Sequence, residues 1–299
     1  PPDAYAAEGQ DWGFPPLHPT RIAGDDFAFL RRLLRTGMAH AGALRIDHVL
    51  GLFRQWWIPA GRPASEGAYV RFPARALLRV AAQESCRARA LLIGEDLGTV
   101  PPQVAPTLAH YGLLSSRVLL FEREADGRFK PASRWSARAL ATANTHDLPT
   151  LRAWVEGQDL TLRRRLGLIP DDAALAAARR EREGERRALH RRLVRDGHLE
   201  PGPVTTLPWP AWARACHALL CATPSPLVGL ALGDLAGEVE PVNVPGVGPE
   251  RWPSWTQRME VELESLARGP GFAEALAGAA SRGAAAPLEP LAARHGRRA

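Results

Sequence analysis

The sequence predicts an α/β fold built on a parallel sheet of the (β/α)8-barrel type. Three observations lead there. Short apolar runs alternate with amphipathic helical segments, the order expected of repeated βαβ units. The runs are apolar at consecutive positions, which suits strands covered on both faces. Several of them end in an acidic residue followed by Gly or a polar loop, and in a barrel of this class the chemistry sits at the C-terminal strand ends.

The elements follow in order. Residues 1–24 are rich in Pro, Gly and isolated aromatics and predict a long loop. Asp25–Thr36 predicts a helix, with apolar residues at 27, 30, 33 and 34, Asp25 as N-cap and Gly37 as its stop. Ala43-Leu44-Arg45-Ile46 predicts a strand ending at Asp47, followed by a Gly/Trp/Pro loop over 51–73 and a helix over 74–89. A second strand, Leu91-Leu92-Ile93, ends at Gly94-Glu95-Asp96. A helix over 101–111 then leads to a third strand, Arg117–Phe121. A fourth, Ala139–Ala143, ends at Asn144-Thr145-His146-Asp147. Residues 159–200 carry a charged helical pattern and predict an insertion or hairpin, and Leu227–Leu232 predicts a last strand. The chain divides accordingly into 1–158 (strands and catalytic loops), 159–205 (helical insertion), 206–276 (last strand and C-terminal helix) and 277–299, an Ala/Pro/Arg-rich tail expected to fray.

Composition excludes several classes. With 299 residues, 45% hydrophobic and 23% charged, the chain can bury a core; collagen, disorder and a disulfide-stapled miniprotein do not fit. The most apolar stretch, Ala218–Leu232, is broken by Thr223, Pro224, Ser225 and Pro226, so no membrane span is expected. The opening Pro1-Pro2-Asp3 shows neither an initiator Met nor a secretory signal, and further residues upstream are expected. Net charge is +6, carried almost wholly by Arg; Lys130 is the single Lys, a bias that GC-rich codons explain. The densest basic region, Arg163–Arg195, lacks aromatics and mixes in Glu181, Glu183 and Glu185. It predicts a solvated helix face, and no nucleic acid is expected as a partner. Cys86, Cys216 and Cys221 are odd in number and lack metal-ligand spacing, so they predict buried thiols in a reducing, cytoplasmic compartment. No phosphate-cradling Gly-rich loop and no His/Cys constellation is present, so neither cofactor nor metal is expected.

Asp47, Glu95 and Asp147 each stand at the end of an expected strand. Any one of them alone is more readily read as a helix cap or a solvated acid. Together at one barrel mouth they suggest glycosyl chemistry, which needs a nucleophile and an acid/base. Arg45 lies two residues before Asp47, on the same face of a strand, where its charge would keep Asp47 ionised. Partial burial in the Gly-flanked turn would raise the pKa of Glu95, as a general acid requires. His48 and Asp96 would point to the opposite face and are read as structural.

Arg45-Ile46-Asp47-His48, Gly94-Glu95-Asp96-Leu97-Gly98 and Asn144-Thr145-His146-Asp147 resemble the three signature segments of the amylomaltases. These are 4-α-glucanotransferases of glycoside hydrolase family 77, in the α-amylase clan. PPDAYAAEGQDWG (1–13), QWWIPAG (55–61) and Asn243-Val244-Pro245-Gly246 with Trp252 and Trp255 resemble further segments of that family, and THDLPTLRAW (145–154) its enterobacterial-type subgroup. The resemblance runs from residue 1 to about 275. It implies that Asp47 is the nucleophile of a retaining double displacement, that Glu95 is the acid/base and that Asp147 grips the hydroxyls of a distorted sugar. Arg45 would hold Asp47, and His146 would bond the same sugar. Gln10, Trp12 and Asn144 would bind substrate, with Trp12 as a stacking face. Trp56 and Trp57 are more readily core.

The implied substrates are maltooligosaccharides and α-1,4-glucans, transferred to the 4-hydroxyl of glucose or a maltooligosaccharide. The alternatives are an α-amylase-like hydrolase and an inactive truncated barrel that binds glucan. The resemblance also implies that only the last five of eight barrel strands are present, so the N-terminal barrel half would be required and the chain alone would be inactive.

Overall fold

A computed structural model describes residues 1–2 and 9–279. Asp3–Glu8 of the first loop segment and the tail beyond residue 279 lie outside the described residues. The chain forms two compact units, one ending at Ser116 and the other starting at Arg117. This boundary falls inside a strand, whereas the division read from sequence runs by role at residues 158, 205 and 276.

In the first unit, helices α1 (Pro19–Gly24) and α2 (Ala28–Met38) lead to strand β1 (Ala43–Ile46). An antiparallel hairpin of β2 (Arg54–Trp57) and β3 (Ala68–Arg71) comes next. Helix α3 (Ala74–Ala88), strand β4 (Leu91–Gly94) and helix α4 (Val104–His110) complete it, up to strand β5 (Leu114–Val118). β1 pairs with β4, and β4 with β5, both parallel. Leu34 and Met38 of α2, Leu78 and Ala81 of α3, Leu92 of β4 and Val104 and Leu108 of α4 form one apolar core, against which Leu44 and Ile46 pack. Apolar runs on the strands thus meet the apolar stripes of the helices, the layering expected of βαβ units. Polar residues tie the same layers. The buried Glu84 of α3 accepts both Arg35 (2.7 Å) and Arg31 (3.1 Å) of α2, and the Arg35 bond chiefly holds its carboxyl down at about 2.

In the second unit, strand β6 (Ala139–Thr142) precedes helices α5 (Leu151–Glu156), α6 (Gln158–Arg165) and α7 (Asp172–Arg195). Helix α8 (Trp209–Cys221), strand β7 (Leu227–Gly229) and helices α9 (Leu232–Ala236), α10 (Leu263–Leu266) and α11 (Pro270–Ala277) follow. β6 and β7 are parallel. The five strands run in the order β1-β4-β5-β6-β7. With the helices between them they form the parallel α/β sheet expected from the sequence. Helices α6 and α7 pack on one another within the charged stretch 159–200. Among the described residues, no helix is long and apolar enough to cross a membrane.

Several expectations are corrected. Pro19–Gly24 is a helix inside what reads as loop; Pro at its start supplies a fixed φ and lacks only an N–H that would be orphaned there. Residues 51–73 contain the β2–β3 hairpin, stabilised where Trp56 meets Tyr69 edge-on at 4.9 Å and donates to the Ala64 carbonyl. β5 begins three residues before the apolar run suggests, because Asp96 accepts the Ser115 hydroxyl (2.8 Å) and the Ser116 amide (2.9 Å) and so makes two buried serines acceptable. The apolar residues 119–121 then form a turn. β7 stops at Gly229, since α9 already starts at Leu232. Gly37 does not end α2; the helix continues to Met38, and a Cβ at Gly37 would stand 3.1 Å from Leu44. Gly37 therefore serves the close approach of helix to strand. Cys86 is exposed on the outer side of α3, opposite the face formed by Leu77, Leu78, Val80 and Ala81; only Cys216 is fully buried. α7 is not simply solvated, because Arg182 is held by Asp159 (2.6 Å) and lies over Trp154, while Leu189 and Leu193 are buried.

Replacing Glu84 by Gln is expected to lower the thermal midpoint at neutral pH. The native carboxyl titrates at about 2, below its usual range. Its contribution is therefore present above the unfolded pKa and lost as the pH falls from about 5 to about 2. Melting curves of both proteins across that window should converge at the acid end, and a gap that persists undiminished would refute this role.

Candidate active site

The ends of β1 and β4 bring two carboxylates together. The register pairs Arg45 with Ile93 and Ile46 with Gly94, so Asp47 and Glu95 are the next residues on neighbouring parallel strands. The Glu95 amide donates to the Ile46 carbonyl (2.9 Å), and the Val49 amide donates to the Glu95 carbonyl (3.0 Å), extending the ladder past both acids. Adjacent strands lie roughly 4.8 Å apart, and side chains in register share a face. Gly94 is needed for this closeness, since a Cβ there would lie 3.0 Å from Val49, a buried β-branched residue with little freedom to yield.

The two acids are held differently. Asp47 is 66% exposed and takes Arg45 Nη1 at 2.6 Å, a charge-assisted bond on the face they share. Glu95 is half-buried, and both its oxygens accept backbone amides: Oε2 from His48 and Oε1 from Leu97, each at 2.8 Å. The His48 amide is turned to Glu95 by a left-handed backbone, φ 43° and ψ 56°. The His48 ring meets Trp12 edge-on at 5.3 Å, and Trp12 donates to Gln10 Oε1 at 3.0 Å. Trp12 is 60% exposed, leaving an indole face free for a ring to stack. Asp96 is buried on Ser115 and Ser116 and so is structural. Trp56 and Trp57 are half-buried in the hairpin.

The third acid belongs to the second unit. Asp147 is exposed, accepts Asn243 Nδ2 at 2.6 Å and lies 3.3 Å from His146 Nε2. Trp255, 65% exposed and in the left-handed region at φ 67°, packs on the His146 ring at 5.2 Å. Such a backbone is strained for a bulky residue and is held only by its surroundings, here including the Trp255 amide bond to the Val242 carbonyl. Asn144, expected to bind substrate, directs its Nδ2 inward to the Pro149 carbonyl and to Asp234 Oδ1, both at 3.2 Å.

Two residues of this neighbourhood were not among the expected site residues. Asn243 belongs to a recognised segment, and its Asn-Val-Pro-Gly signature could have marked it. Asp234 offered no signal. It is fully buried on α9, and burial pushes its carboxyl up to about 6 against the opposing pull of the Leu151 amide and Asn144. The buried Cys216 thiol of α8 is pushed up in turn, first by burial and then by the Asp234 charge. Among the described residues, no group of His, Cys, Asp and Glu is arranged to hold a metal ion.

Comparison with known proteins adds to this geometry. Residues 1–264 match the glycoside hydrolase 77 family model, described as 4-alpha-glucanotransferase. The chain is 40% identical over 262 residues to the 4-alpha-glucanotransferase of Mycobacterium tuberculosis (strain H37Rv), covering 85% of this chain and 35% of that protein. It is 36% identical over 267 residues to the 4-alpha-glucanotransferase of Haemophilus influenzae, covering 88% and 38%. The crystal structure of amylomaltase from Corynebacterium glutamicum matches with a TM-score of 0.88 at 32% identity, over 93% of this chain and 41% of that one. Amylomaltase from Streptococcus agalactiae in complex with acarbose matches with a TM-score of 0.68 over 94% and 49%; at 20% identity this likeness shows the fold alone. The chain thus spans 35–38% of the length of these two curated relatives.

Asp234 gives the unit a pH dependence of defined sign. Its folded pKa is raised, so its contribution to stability is full below the unfolded pKa and is lost as the pH rises through about 6. The stability of the wild type relative to Asp234→Asn, measured by urea unfolding, should therefore fall between about pH 4 and about pH 7. A difference independent of pH would contradict the raised pKa.

Proposed function

Because the chain belongs to the glycoside hydrolase 77 family of 4-alpha-glucanotransferases, we propose that it carries the retaining machinery for moving α-1,4-glucan segments to the 4-hydroxyl of glucose or a maltooligosaccharide. The observation that carries this reading is the pair of acids on the register-matched ends of β1 and β4, one bound to an arginine and the other to two backbone amides.

Asp47 is the nucleophile. Its bond to Arg45 fixes one of the two carboxylate oxygens in place. It attacks the anomeric carbon and forms a covalent glycosyl-enzyme. Glu95 gives a proton to the departing glycosidic oxygen and then takes one from the incoming 4-hydroxyl, so stereochemistry is retained. That outcome requires the two carboxyl groups roughly 5–5.5 Å apart. The fixed amides on Glu95 make its orientation the same in both half-reactions. Asp147 and His146 grip hydroxyls of a distorted sugar, with Asn243 holding Asp147 in place. Trp12 stacks on a glucose ring, with Gln10 beside it. Transfer prevails over hydrolysis when an acceptor sugar is held at high effective concentration and water is excluded. Substrates are maltooligosaccharides and α-1,4-glucans, and the location is cytoplasmic.

A second reading, glucan binding without turnover by the isolated chain, has one observation in its favour. β1 has no neighbour on its outer side among the described residues. Beside it opens an apolar cavity of about 410 Å3 between α1, α2 and β1, with exposed Leu17, Phe29 and Leu33 on its walls and Arg45 and Asp47 at one end. A sugar site needs polar groups with its aromatic faces, so this cavity is a packing face rather than a subsite. Turnover therefore requires further barrel strands to cover it.

The test is a fusion of the chain to the remaining barrel strands of the Corynebacterium glutamicum amylomaltase. Fed maltotriose, it should release glucose and make longer oligomers; products that are only shorter sugars would make it a hydrolase. Glu95→Gln should lower turnover by about 10²–10⁴-fold. An activated α-glucosyl fluoride should leave its adduct mass on Asp47. Turnover by the unfused chain would refute the requirement for added strands.

A further inference from the structure

We propose that Asp234 is a positioning residue, whose buried carboxylate clasps both ends of the 144–151 loop and so sets His146 and Asp147. Oδ1 of Asp234 accepts Asn144 Nδ2 at one end of the loop (3.2 Å) and the Leu151 amide at the other (2.7 Å). The Asn144 amide closes the ring by donating also to the Pro149 carbonyl (3.2 Å). His146 and Asp147 lie inside that closed stretch.

The clasp stands on a firm base. Leu235, the next residue of α9, packs with Ala213 of α8 and Phe272 of α11. Two more bonds link the far side of the loop to the chain just after α9: the Thr150 hydroxyl donates to the Val239 carbonyl (3.3 Å) and Arg152 Nη1 to the Gly237 carbonyl (2.8 Å). Thr150 in turn caps α5 by accepting the Ala153 amide (3.1 Å). Asp147 itself meets the same downstream segment through Asn243. Among the described residues, Asp234 Oδ2 is buried with no hydrogen-bond partner. A buried carboxylate with an unsatisfied oxygen is costly to keep, and a plain core position would be served better by an apolar residue. An acceptor able to take two donors from the two loop ends accounts for its presence.

The inference rests on the proposed function only in reading His146 and Asp147 as sugar-binding groups; the clasp itself does not depend on it. The experiment is amide hydrogen exchange on the whole chain, wild type and variants, with and without maltotriose. Asp234→Ala should speed exchange across residues 144–152 by about tenfold or more, while α8 and β6 keep wild-type rates. Asp234→Asn retains the Oδ1 acceptor and should stay within about threefold of wild type. Should Asp234→Ala fail to fold, Asn144→Ala removes one of the two clasped donors and should loosen the same residues alone. Maltotriose should slow exchange at 145–148 in the wild type and in Asp234→Asn, and fail to do so in Asp234→Ala. Wild-type rates over 144–152 in Asp234→Ala, or a rise spread evenly over the unit, would overturn the clasp; so would an Asp234→Asn pattern matching that of Ala. If the variants behave as stated and maltotriose protects nothing even in the wild type, the clasp holds and the sugar-binding reading falls.

Discussion

Two backbone bonds hold the two acids of the first unit in place: the Glu95 amide on the Ile46 carbonyl, and the Val49 amide on the Glu95 carbonyl. They carry the β1–β4 ladder beyond the last regular residues, so the turn that begins at Asp47 is not free to swing away from Glu95. The left-handed backbone at His48 follows from the same constraint, since it turns that amide onto the Glu95 carboxylate. Gly94 belongs to it as well, because a Cβ there would lie 3.0 Å from the Val49 side chain and crowd it. Backbone bonds are a good means for this task. They cost the site no reactive side chain, and parallel pairing fixes their spacing whatever the substrate does.

The second unit solves a related problem with side chains. Asp147 has no strand partner to align it, and it projects from a loop five residues beyond the end of β6. Its position is set by residues far along the chain: Asn243 on its carboxylate, Trp255 against His146 and Asp234 beneath the loop. One acid is therefore placed by a ladder, the other by a group of polar and aromatic contacts that converge from residues 234–255. Loops positioned on a rigid scaffold in this way are where binding residues concentrate.

The same contrast explains what the sequence could disclose. β1, β4 and β6 were legible because each is a short apolar run, a pattern that burial on both faces imposes, and β1 and β4 are followed at once by an acid. The Arg45–Asp47 spacing was legible because a strand repeats its facing every second residue. β5 was displaced because Ser115 and Ser116 look like loop residues until Asp96, from another element, satisfies them. Gly37 looked like a helix stop because local rules cannot foresee Leu44 pressing against it. The hairpin at 54–71 was hidden because its stability comes from cross-strand contacts such as Trp56 on Tyr69. Asp234 was invisible for the strongest reason. Its partners Asn144 and Leu151 lie 90 and 83 positions away, and nothing in Leu-Gly-Asp-Leu announces a tertiary bond.

Among the described residues, β1 has no neighbour on its outer edge. A strand edge left open beside apolar walls invites another extended chain to add on, and proteins commonly defend such an edge with a charge. Ala43-Leu44-Arg45-Ile46 contains a single charged residue, Arg45, the same side chain that grips Asp47. The charge at the strand edge and the partner of Asp47 are thereby one guanidinium. Exchange of Arg45 for a neutral residue removes both at once: the ion pair with Asp47 and the gatekeeper charge against fibre-like self-association.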